Sequence, residues 1–199
     1  MKKIDIDTWE KKVKVNNKLV PKKKVLEYYR KIWKSDKDFR NAVKTNGVFV
    51  RASYHNKDVI KRKNIKINNL QDLEKAIHEH AVEFILPVKK TKYKSFVDVD
   101  MPKKYLPKKK SISKSIVDKL KQANVKLGMV VESPRGVHIY SNTDKRTIRK
   151  ALKQIADENK QMIVGKTSKD KIVLDPNETA VAIPNSLSTK GKPYRKWKL

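Results

Sequence analysis

Cysteine is absent from the chain. That excludes disulfides, thiolate zinc fingers and thiol catalysis, and it leaves any zinc site to histidine and carboxylates. Acidic residues are scarce, with 21 Asp and Glu against 50 Lys and Arg, for a net charge of +29. An A/T-rich genome would enrich Lys, Asn and Ile, but it would raise Glu as well, and acids stay few. No run is long and apolar enough to span a membrane. The opening Met1-Lys-Lys-Ile-Asp5 is not followed by an apolar signal core. No internal repeat and no clear linker interrupts the chain. The expectation is an intracellular protein without a membrane partner, cytoplasmic or nucleoid-associated if its source is prokaryotic or viral.

Hydrophobic residues make up 38% of 199 positions, enough for one sizeable domain or two small modules. A field of +29 attracts polyanions, nucleic acid above all.

The scarce acids are not scattered evenly. Ser95-Phe-Val-Asp-Val-Asp-Met-Pro102 alternates in the manner of a strand, which sets Asp98 and Asp100 on one face and Val97 and Val99 on the other. Two like charges side by side repel unless a cation lies between them. Mg²⁺ reaches proteins through one or two carboxylates plus substrate phosphates. The alternative is a solvent-facing edge strand with two harmless acids.

The flanking chain supplies context. Ile4, Ile6, Val13 and Val15 suit short edge strands. After Pro21, residues 22–34 carry Val25, Leu26, Tyr29, Ile32 and Trp33 at helical spacing. Tyr28, Tyr29 and Trp33 fit core packing better than base stacking. Val48–Ala52 is expected to be a strand that places Arg51 at its end. Leu70, Leu73, Ile77, Ala81, Phe84 and Ile85 predict one helix from 70 to 86, capped by Asn69 and stopped by Pro87. His78 and His80 point to different sides of it and are poor metal partners. Beyond the acid strand comes a basic loop with Lys103, Lys104, Lys108, Lys109 and Lys110, either a solvated turn or a clamp on a nucleic-acid backbone. A helix over 112–123 is followed by Met129–Tyr140, a hairpin turning at Ser133-Pro-Arg-Gly136. Another helix spans 143–159, and strand 171–174 leads into Asp175.

From residue 95 onward the order is β-α-β-β-α-β, a ferredoxin-like arrangement. It is similar to an RNA-recognition module without the aromatic RNP signature. In this order the first and third strands are central neighbours, so Asp98, Asp100 and His138 converge on one face. A lone His138 would otherwise be a buried histidine bonded to backbone.

The motifs Phe-Val-Asp98-Val-Asp100-Met, Ser-Pro-Arg-Gly136-Val-His138 and Val-Leu-Asp175 resemble three motifs of the archaeo-eukaryotic primase superfamily. Those are an acid pair on a strand, small-x-His, and a later single acid. Phe49-Val-Arg51 with Gln71–Ile77, and Ile183-Pro-Asn-Ser186-Leu-Ser-Thr-Lys190-Gly, resemble further stretches of the primase catalytic (small) subunit. The end of the chain also resembles polymerase domains of bacterial end-joining ligases. The departures are specific. Lys103–Ser111 stands where many primases insert a zinc-binding segment, so no structural zinc is expected. The segment before His138 is one residue short, and Ser188 stands where the family has histidine.

The resemblance implies an α+β primase-polymerase core and a single catalytic domain. It would comprise an N-terminal αβ module (1–90) and an RRM-like module (91–199) sharing one active-site cleft. It implies primer synthesis or extension from (d)NTPs on a single-stranded DNA template, with a primase large subunit, helicase or repair factor as candidate partners. Nucleotidyl transfer needs an activated 3′ hydroxyl and a neutralised pyrophosphate, which two cations about 4 Å apart supply. Asp98, Asp100 and Asp175 are the candidate ligands of Mg²⁺ or Mn²⁺. Arg51, Ser133, Arg135 and His138 are the candidates for the triphosphate, with Ser186 and Lys190 behind it. Two other readings are a gap-filling end-joining polymerase and a non-catalytic nucleic-acid-binding module.

Overall fold

The computed structural model describes residues 12–15, 18–44, 48–53, 60–79, 81–165, 168–177, 180–188 and 192–197. It divides into two compact units. The first takes Met1–Pro87 and Ala182–Tyr194, the second Val88–Val181 and Arg195–Leu199. A single division near residue 90 would give the 182–194 segment to the second module, but the chain returns to the first.

In the first unit, β1 (Lys12–Val15) and β2 (Lys18–Pro21) form a hairpin. Ile4 and Ile6 lie outside the described residues. Helix α1 (Lys22–Ser35) starts directly after Pro21, whose fixed φ suits a helix entry. Tyr29 on α1 is fully buried. Its hydroxyl donates to Val82 O at 2.5 Å and accepts from Leu187 N at 2.8 Å. Packing is thus the role of Tyr29, as its spacing predicts. Helix α2 (Lys37–Val43) follows, with Asp36 accepting from Phe39 N at its start. Then come β3 (Val48–Ser53), β4 (Ile60–Ile65), α3 (Leu70–His78) and β5 (Ala81–Pro87). Asn69 caps α3 as expected, accepting from Asp72 N at 2.8 Å.

The single helix expected over 70–86 is two elements. Helix α3 stops at His78, and Ala81–Pro87 is a strand buried at every position. A strand covered on both faces loses its period of two, so a short apolar run fits either template. Val82, Phe84 and Ile85 favour strand by propensity. His78 is exposed; His80 lies outside the described residues. Strand β5 pairs antiparallel with β3, which pairs with β4.

The second unit has its own core. After a short 3-10 turn, β6 (Ser95–Asp100) leads into a 3-10 segment (Lys103–Lys108) and α4 (Lys109–Gln122). Strands β7 (Leu127–Ser133) and β8 (Gly136–Ser141) form the expected hairpin, and α5 (Lys145–Asp157) follows. Strands β9 (Met162–Val164) and β10 (Ile172–Asn177) come next and, near the end, β12 (Arg195–Lys196); the intervening β11 (Ala180–Ala182) instead pairs with β5 in the four-stranded sheet. The six-stranded sheet runs β12-β7-β8-β6-β10-β9, with β6 and β8 adjacent at its centre. Val97, Val99, Val130, Val137, Ile139 and Leu174 pack with Ile116, Leu120, Ile148 and Leu152 of the helices. One face of the sheet is therefore core, and the alternate residues define the other. The basic stretch expected as a loop is helical, because Lys103–Lys108 winds directly into the first turn of α4.

Candidate active site

Strand β6 is flanked by β8 on one side and β10 on the other. The antiparallel registers set His138 opposite Asp98 on the first side and Asp175 opposite Asp98 on the second. Directly opposed residues share a face, with Cβ atoms about 4.5–5.5 Å apart. His138, Asp98 and Asp175 thus form a row across three strands. Asp100 lies two residues along the same face, opposite Gly136 and Val173.

Asp98 Oδ1 lies 3.3 Å from His138 Nε2. The atom is buried and accepts no hydrogen bond. His138 is only 8% exposed, and the Phe96 ring meets its imidazole edge-on at 5.7 Å. Phe96 shares the face of Asp98 by strand alternation, as the period of two in Phe96–Asp100 predicts.

The β7–β8 turn carries the next set. Arg135 Nη2 donates to Asp100 Oδ2 at 2.5 Å, and Met101 N donates to Arg135 O at 2.8 Å. Gly136 is required by close approach. A Cβ there would fall 1.7 Å from Val99 O, so any side chain would force β8 off β6. The small residue of the small-x-His pattern therefore has a steric cause in this sheet. Ser133 Oγ is buried and without a hydrogen-bond partner. Burial, then the charge of Asp98, push the Asp100 carboxyl above the usual carboxylate range, and Arg135 pulls part of that back.

Among the described residues no three His, Asp or Glu side chains gather closely enough to hold a metal ion. The acids are neighbours by register rather than a preassembled cage, and Arg135 supplies the cation beside Asp100. The donor chemistry still fits a hard divalent ion. Two carboxylates share one face, and Asp98 offers a buried oxygen that accepts no hydrogen bond, with His138 Nε2 standing 3.3 Å away.

The remaining sequence candidates divide. Arg51 is on β3 of the first unit, opposite Arg62 and Glu83 in register, and its side chain lies outside what is described. Ser186 also belongs to the first unit, fully buried, its hydroxyl donating to Phe84 O at 3.3 Å. That bond is structural, which removes Ser186 from any surface a nucleotide could touch without rearrangement. Lys190 lies outside the described residues. Lys103, Lys104, Lys108 and Lys110 are exposed, Lys104 over the Tyr105 ring. Lys109 differs from them, since its ammonium donates to Glu132 and, at 3.2 Å, to Ser133 O. It ties the start of α4 to the hairpin and is not free to clamp phosphate. Glu132 escaped the sequence reading because it lies on the opposite face of β7 from Ser133.

No family profile matches the chain, and no curated protein matches it. Among solved structures, its fold is similar to the polymerase domain of Mycobacterium tuberculosis ligase D, solved in complex with DNA, with a TM-score of 0.60. The identity is 11%, and the match covers 89% of this chain and 81% of that one. The chain thus has a mixed α+β fold similar to that of this polymerase domain.

Proposed function

We propose that the chain is a template-directed nucleotidyltransferase of the primase-polymerase type. It would synthesise or extend primers from (d)NTPs on single-stranded DNA. The observation that carries this reading is the row His138–Asp98–Asp175 with Asp100 beside it, set on the sheet of a polymerase-like fold. The β-α-β-β-α-β run of the second unit is read as the RRM-like module of such enzymes.

Asp98 and Asp100 would hold Mg²⁺ or Mn²⁺, with Asp175 and substrate phosphates completing the shells. Such ions activate the primer 3′ hydroxyl and neutralise the departing pyrophosphate. His138, held beside Asp98 and against Phe96, would donate to a phosphate oxygen. Arg135 would leave Asp100 for the triphosphate, where its planar fork suits phosphate oxygens. Ser133 Oγ, buried without a partner in this hairpin, would donate to the same group. Arg51 and Lys190 are kept as triphosphate contacts from the sequence pattern. Lys103, Lys104, Lys108 and Lys110 would meet the strand backbone without reading sequence. An intracellular setting and a primase large subunit or helicase as partner belong to the same proposal. A gap-filling role in end joining is the second reading, favoured by the ligase D likeness.

Incorporation of labelled nucleotide on a primer–template with Mg²⁺ or Mn²⁺ tests the reading. Folded Asp98→Ala should lose more than the ~10–100-fold typical of an outer-shell partner. Wild-type incorporation by that variant would remove the metal assignment. Gapped against recessed substrates separate the two roles.

A further inference from the structure

The acid row does not account for all the ordered basic chemistry of the second unit. Around the sheet edge, α5 and β9 enclose a groove of about 640 Å³, the size of a site for a small ligand or a nucleotide. Its floor is apolar, from Ala156, Met162 and Val164, and its rim carries Lys153, Lys160 and Lys171. All three lysines are exposed, and among the described residues none is ion-paired. Elsewhere in this unit two of the scarce acids are taken up by lysines, Glu132 by Lys109 and Glu158 by Lys119. Asp157 also lines the groove, and the C-terminus of α5 adds about half a negative charge. Three ammonium groups against those still leave the groove positive. Arg149 and Lys150, exposed four and three residues before Lys153 on α5, extend the basic track toward it.

Apart from Ile163, which alternates to the acid face, the strand residues of the groove face away from the acids. Val164 is paired with Leu174, the neighbour of Asp175, so it shares the helix-covered face of the sheet. Among the described residues β9 is also the last strand of its sheet, and there one side of its backbone has no strand partner.

We propose that this groove is a second nucleic-acid site that grips single-stranded nucleic acid away from the catalytic face. The rim lysines neutralise phosphates, and the apolar floor receives bases, which a duplex would keep stacked inside. Ammonium groups carry no base-reading geometry, so the grip is blind to sequence. A strand held here passes round the edge from β10 to the helix side, which lets a chain of this size hold a template outside its active site.

The test is a titration of labelled single-stranded DNA and RNA into the full chain at several salt concentrations, without divalent ion or nucleotide. Each phosphate contact on a single strand adds about −0.7 to the log–log salt slope. The Lys153→Ser, Lys160→Ser, Lys171→Ser triple variant should bind more weakly, with a slope shallower by about 1–2 units. Arginine at the same three positions should keep the slope. Lys31→Ser, Lys34→Ser, Lys37→Ser removes equal charge from exposed sites of the first unit and sets the background. An unchanged slope, or an equal fall in both triple variants, overturns the site. An acidic protein as the true occupant gives the unchanged slope. The binding assay involves no catalysis, so a failure of nucleotide incorporation would sink the proposed function and leave this groove standing.

Discussion

At the scale of single residues, Asp100 shows what the site costs the fold. Burial and the charge of Asp98 raise its pKa, while the Arg135 guanidinium offsets part of the effect. The folded chain therefore keeps the Asp100 proton to higher pH than the unfolded chain does. Stability linked to this group is full below the ordinary carboxylate range, falls as pH rises toward the raised pKa, and stays lost above it. Asp100→Asn should accordingly melt no lower than wild type at pH 7 in metal-free buffer, with any advantage vanishing below about pH 4. Mn²⁺ at about 100 times its Kd should raise the wild-type Tm by roughly 5–10 °C and leave the variant nearly unmoved. Equal Mn²⁺ shifts in both proteins would remove Asp100 from the ligand set. The acid pair was legible because strand alternation is rigid, and His138 because the order of elements places β8 beside β6. The opposition of Asp175 to Asp98 depends on strand register, which no local pattern prints. The Arg135–Asp100 bridge was hidden because a turn arginine has many reachable partners.

At the scale of elements, the start of α4 breaks the local rules. No side chain caps it, no acid lies in its first turn, and Lys109 and Lys110 sit where the helix dipole is positive. Such a conflict points to a use for the charge. The two lysines separate cleanly. Lys109 is tied to Glu132 and Ser133 O, whereas Lys110 is exposed. Lys109→Ala should lower unfolding free energy by about 1 kcal/mol, between an exposed ion pair and a buried charged hydrogen bond. Lys110→Glu should raise it by about 0.3–1 kcal/mol and weaken single-strand binding. Urea unfolding beside strand titration checks both, and loss of stability in both variants would reject the division. The sequence reading treated the five lysines as one loop because composition carries no address. It also fused α3 with β5, because an apolar run buried on both faces has no period to read. Where one face is covered and the other carries the acids, as in β6, the period survives and the strand is legible.

At the scale of the whole molecule, charge is the dominant feature. A net charge of +29 repels itself most strongly in the folded state, where it is confined to the smaller volume. Added salt screens this repulsion, since the Debye length falls from about 30 Å at 0.01 M to about 10 Å at 0.1 M. Salt also weakens the exposed ion pairs Arg30–Glu74 and Lys119–Glu158, but such pairs are worth about 0–1 kcal/mol each. The global term acts on every unpaired cation at once and should win. Tm should therefore climb by a few degrees as NaCl is raised from about 10 to 300 mM, instead of staying flat. A short oligonucleotide should do more at low salt, because it neutralises the basic surfaces directly, and its effect should collapse by about 300 mM. Thermal melts across a salt series, with and without a single strand, measure both. A Tm that falls steadily with salt would mean that local pairs outweigh the net field, and the excess cations would then be dispersed too widely to act as a nucleic-acid surface.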